Sequence, residues 1–115
     1  MPRPDVIAAL ETLSAPGMHS KWEQGERTWP HLDDAIHWLI DDTGLDVYPA
    51  TSATQDVYLF SSDEEARLVQ SAVDMLGALI DELGDVSADH YVRHGNWGSV
   101  AEACRRAHEV MTAGL

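Results

Sequence analysis

The segment from Ser62 to Gly84 constrains the fold more than any other part of the chain. Leu68, Val69, Ala72, Val73, Met75, Leu76, Leu79, Ile80 and Leu83 recur at intervals of three and four residues, which gathers them on one wide face of an α-helix. Ser62 followed by Glu65 matches a capping box, in which each side chain satisfies a backbone N–H that the first helical turn leaves unpaired. Gly84 supplies a left-handed stop. A helix with so broad an apolar face has to be covered by other elements, because its own propensity contributes little of its stability.

The remaining sequence offers further helices. A first is predicted from about Asp5 to Leu13, with Val6, Leu10 and Leu13 on one stripe, and Pro16 and Gly17 ending it. Residues 15–30 read as irregular, with Trp22 and Trp29 expected to pin a loop to the core. A second helix is predicted from Pro30 to Thr43 with Gly44 as its stop. Residues 45–60 hold Pro49, a Thr/Ser cluster and the short apolar run Val57 to Phe60; one strand makes no sheet, so a wrapped loop is expected. Ser87 caps a short helix ending near His94, and Asn96 or Ser99 opens a last helix that turns Val100, Ala103, Cys104, Ala107, Val110 and Met111 inward. The 115 residues are therefore expected to form a single all-α domain, one compact bundle of about five helices with the 62–83 helix at its centre.

Charge is distributed unevenly. Residues 31–85 hold thirteen acidic side chains against the single base Arg67, so a net −12 of the chain's −13 lies in less than half its length. Such a field repels phosphate backbones and anionic bilayers, which argues against direct binding of nucleic acid or a membrane surface. No apolar run approaches the ~18 residues that span a bilayer. The single cysteine cannot form an intrachain disulfide, and with no signal-peptide pattern at the N-terminus a cytoplasmic location is expected.

On the second predicted helix Leu32, Ala35, Ile36, Leu39 and Ile40 share one side, while Asp33, Asp34, His37 and Asp41 share the other. Trp38 lies on the flank, four residues from both Asp34 and Asp42. A tryptophan bordered by carboxylates is what an anchored electrostatic interface presents, so Asp33, Asp34, His37, Trp38, Asp41 and Asp42 are the candidate partner-binding residues. The plain alternatives are a solvated acidic face and a Trp38 ring covered by a neighbouring loop.

Catalytic and metal chemistry find less support. His90 and His94 have the four-residue spacing of two imidazole ligands on one helix face, but no third ligand is evident, and no metal or other cofactor is expected. Cys104 falls among core positions and reads as a buried, inert thiol. No nucleophile elbow, cysteine-protease signature or glycine-rich phosphate loop occurs, so an enzyme is not expected.

The aspartate-rich helix (Asp33, Asp34, Ala35, then Leu39 to Thr43), the opening Ser62, Glu64, Glu65, Ala66, Val69, and the ending Trp97, Val100, Ala103, Ala107, His108 resemble a family of small acidic helical proteins of uncharacterised function from high-GC actinobacteria. In general appearance the chain is also similar to immunity proteins and antitoxins. That similarity implies a non-enzymatic domain whose acidic face neutralises a basic protein partner, a toxin or nuclease domain. The other reading is a structural or regulatory subunit that works through apolar grooves, its acidic face merely solvated. Self-association is open under both.

Overall fold

The computed structural model describes residues 2–41, 43, 60 and 62–113. They form six α-helices and one π-helical turn: α1 (Pro2–Ser14), α2 (Pro16–Glu23), α3 (Leu32–Ile36), the π turn (His37–Asp41), α4 (Asp63–Leu83), α5 (Ala88–Arg93) and α6 (Trp97–Thr112). The all-α class is as expected. The wrapped loop expected at 45–60 lies outside the described residues except for Phe60, as do Asp42 and Gly44.

The helix absent from the sequence reading is α2. Pro16 opens it at the first helical position, where a missing N–H costs nothing, instead of only ending α1. Trp22 is its one fully covered residue, so it shows no apolar period by which to recognise it.

The long helix is present but is not the centre. α6 occupies that place, packed against α1 and against α4. Ala103, Cys104 and Ala107 keep α6 slim enough for two helices to approach it, while Val100 and Met111 fill the space between. The start of α1, the start of α4 and the end of α6 meet at one guanidinium. Arg3 donates to both carboxylate oxygens of Glu65 (2.8 and 3.3 Å) and to the Met111 carbonyl (3.3 Å). Both α1 and α4 therefore run antiparallel to α6. Ser62 caps α4 as expected, its hydroxyl accepting the Glu65 N–H at 3.2 Å, while the Glu65 carboxylate turns inward to Arg3.

At the other end an aromatic knot joins α2, α3 and α6. Trp22 meets Trp97 edge-on at 6.3 Å, and His19 meets Trp97 at 5.2 Å. The Trp22 indole N–H donates to the Thr28 hydroxyl (2.9 Å), which donates to the Pro30 carbonyl (2.6 Å), so this tryptophan does pin the 24–30 connection. The Trp29–Pro30 peptide is cis. The buried apolar side chains make one continuous cluster, from Val6 and Leu10 through Leu39, Val69 and Leu76 to Val100 and Met111. Among the described residues no helix is long and apolar enough to cross a membrane.

Candidate functional site

The acidic helix begins at His31. Its Nδ1 accepts the Asp33 N–H (3.4 Å), and the Asp34 carboxylate accepts the His31 N–H (2.9 Å), a reciprocal cap built on histidine. Asp34 is thereby committed to holding the helix start. Asp33 is not: 88% of its side chain is exposed. Leu32, Ala35, Leu39 and Ile40 are buried, which fixes the opposite side of the helix to the open one.

From His37 to Asp41 the backbone widens into a π turn, a feature often found at functional positions. This turn carries three of the sequence-predicted site residues. His37 Nδ1 lies 3.1 Å from Asp41 Oδ2, with both side chains more than half exposed. Trp38 is half-buried against the core. Trp29 stands over it edge-on, ring centres 5.8 Å apart and planes at 86°. The expected pinning thus holds for Trp22 and fails for Trp29, which is 77% exposed. Sequence reasoning missed Trp29 as a surface group; its polar neighbours Glu26, Arg27 and Thr28 were the available sign.

The carboxylates do not form a single stripe. The helix lies on α1, so its two flanks face different neighbours. On one flank Asp33 and Asp34 line a cleft of about 500 Å³ together with Glu26, Trp29 and Asp89. On the other, Asp41 shares a groove of about 680 Å³ with Asp74 and Asp81 of α4, over Ile36, Ile40, Val73 and Ile80. His37, whose side chain is exposed, lines neither of them. Other acids of the 31–85 region are engaged elsewhere: Glu65 by Arg3, and Glu82 by the His94 ring at 2.8 Å.

A family model matches residues 1–114, nearly the whole chain. The chain belongs to DUF7945, a domain of unknown function. No curated protein and no solved structure matches it.

The two histidines considered as ligands part company in this DUF7945 domain. His90 sits on α5 with its Nδ1 3.0 Å from the Ser87 hydroxyl. His94 has left the helix as its extended C-cap, where its Nδ1 accepts the Asn96 N–H (3.0 Å) and its Nε2–H faces Glu82. The four-residue spacing therefore does not place both imidazoles on one helix face. Among the described residues no three His, Cys, Asp or Glu side chains converge as a ligand set. Cys104 is buried, and burial pushes its thiol up to about 12, far from a reactive thiolate. On α6 the Arg105 and Arg106 guanidiniums hold the Glu102 carboxyl down at about 2, and Arg105 also pairs with Glu109, so both arginines face carboxylates of their own helix. Burial raises the Tyr91 hydroxyl above its ordinary value, with Asp33 and Asp85 adding to it, and that hydroxyl donates to the Gly84 carbonyl at 2.7 Å.

Proposed function

We propose that this DUF7945 domain is a non-enzymatic, cytoplasmic protein-binding domain that takes a basic partner on its acidic side. More specifically, we propose an immunity protein or antitoxin that neutralises a basic toxin such as a nuclease. The observation that carries the reading is the Trp29–Trp38 pair, one ring standing out in solvent, packed on the same α3 and π-turn segment that carries Asp33, His37 and Asp41. Exposed tryptophan is costly in water and is enriched at the energetic centres of interfaces, where its face also attracts guanidinium and ammonium groups. The surrounding carboxylates take the place that nucleic-acid phosphates occupy on a basic toxin, so the partner is steered by charge and anchored by the indoles. The general likeness of this small acidic helical chain to immunity proteins and antitoxins supports the same reading.

The test is neutralisation of the protein encoded by the adjacent gene, measured as growth rescue on co-expression and as affinity in solution. The triple variant Trp29→Ala/Asp33→Asn/Asp41→Asn is expected to keep its helical circular dichroism and lose rescue. Rescue unaffected by that variant, or an adjacent gene product that neither binds nor poisons the cell, defeats the reading.

The apolar groove beside α4 favours a second reading, a regulatory or structural subunit that docks through Ile36 and Ile80 while its acids are merely solvated. Under that reading the same triple variant binds its partner unchanged.

A further inference from the structure

The groove between the π turn and α4 contains a glycine that the helix itself does not need. Gly77 stands in the middle of the 21-residue α4, where glycine costs about 1 kcal/mol relative to alanine. A Cβ added there meets nothing within 4 Å among the described residues, so none of their segments excludes a side chain. Gly77 and Ala78 both line the groove. Together they leave a low stretch on α4 where another backbone can come close.

The rest of the groove has matching chemistry. Its apolar surface comes from the partly exposed Ile36 on one wall and Ile80 on the other, with the buried Ile40 and Val73 beneath them. Its polar edge holds Asp41, Asp74 and Asp81, and no lysine or arginine is among its described lining residues. A trough with small residues on its α4 side, isoleucines on both walls and carboxylates at its margins is complementary to an amphipathic helix with cationic margins, which presents apolar anchors at i, i+3 or i+4, and i+7.

We infer that this groove seats such a helix, apolar on one face and bearing lysines and arginines along its edges, contributed by the basic partner. The inference rests on the protein-binding reading above and adds to it the location and the secondary structure of what is bound. Gly77 is then the point of closest approach, and the carboxylates set the polarity of the partner.

Isotope-labelled protein titrated with synthetic peptides tests this. The probe is a Leu/Lys peptide long enough to be helical (~15–20 residues), with a Leu/Glu peptide of the same pattern and a scrambled Leu/Lys peptide as controls. The Leu/Lys helix is expected to shift the amide signals of Ile40, Val73, Gly77 and Ile80. Asp74→Asn/Asp81→Asn is expected to weaken it roughly tenfold, and Gly77→Leu, which replaces a poor helix former with a good one, to abolish it. Shifts confined to Trp29, Asp33 and Trp38 overturn the groove while leaving the acidic-surface reading in place. If neither cationic peptide binds anywhere, both fall. Equal binding of the Leu/Glu peptide overturns the groove's charge preference, and concentration-dependent shifts of the same four residues without peptide assign the groove to a second copy of this chain instead.

Discussion

Arg3 and Glu65 lie 62 positions apart, yet their contact closes the end of the molecule where three helices meet. The Glu65 side chain is only 7% exposed and Arg3 22%, so the pair is held largely out of water. Its formation raises the Arg3 guanidinium above its ordinary value, chiefly through the hydrogen bond it donates to Glu65 and against the opposing effect of burial. Removing one partner of a buried pair costs more than replacing both, because the survivor keeps its desolvation penalty. Arg3→Met is therefore expected to lower the free energy of unfolding in urea by about 2–4 kcal/mol, and Arg3→Met/Glu65→Met to recover most of that loss. His19 supplies a second test at this scale. Burial among Trp22 and Trp97 holds its pKa below 6.5, against the opposing contact with the Leu13 carbonyl at 2.7 Å. A folded pKa below the unfolded one means that the unfolded chain takes up the proton first as pH falls. The contribution of neutral His19 is thus intact above about pH 6.5 and is withdrawn as pH drops through the window beneath it. Between about pH 7.5 and pH 5.5 the wild type is expected to lose stability relative to His19→Gln; parallel urea midpoints across that range contradict this assignment.

The same substitution on one helix is expected to have opposite signs at two glycines. Gly77 is helical with open space at its Cβ, so Gly77→Ala should raise stability by about 0.5–1 kcal/mol. Gly84 terminates α4 at φ +67° and ψ −147°, a conformation that a Cβ strains, so Gly84→Ala should lower it by about 1–2 kcal/mol. Thermal melts of the two variants check both signs, and a stabilised Gly84→Ala removes the account of the helix stop. Elements of this kind were legible in the sequence: α4 and the end of α1 announce themselves through a period near 3.6, and α4 also through its cap and stop. α2 was hidden because a helix that buries one tryptophan has no period, and because proline marks beginnings as readily as ends. The start of α3 was hidden because histidine is not among the usual capping side chains. The exposure of His37 and Asp41 on the open side of the helix was legible from their spacing. Trp29 was not, since its placement over Trp38 depends on a connection whose path no local pattern encodes. The grouping of Asp41 with Asp74 and Asp81 depends in turn on how two helices pack, which sequence spacing does not carry.

At the scale of the whole molecule, one quantity acts on folding and on recognition with opposite sign. The chain carries a net charge of −13, and ten of its described acids come from the 31–85 region, among them Asp33, Asp41, Asp74 and Asp81 on the open surface. Crowding like charges into a folded chain opposes folding, whereas the same field draws in a cationic partner. Dissolved salt screens both, with a Debye length falling from about 30 Å at 0.01 M to about 8 Å at 0.15 M. Raising ionic strength across that range is therefore expected to increase the melting temperature by several degrees while slowing association with a basic partner at least tenfold, with dissociation changed far less. Differential scanning fluorimetry and stopped-flow mixing measure the two sides on the same preparation. If the acids are only solvated, the melting temperature still rises but the association rate stays flat, so the two curves together distinguish an acidic interface from an acidic coat. A melting temperature that falls with salt instead means that the attractive pairs, such as those of Arg105 with Glu102 and Glu109, outweigh the repulsion. In that event the surplus of carboxylates imposes no burden on folding, and solubility rather than recognition becomes the simpler account of why the chain carries it.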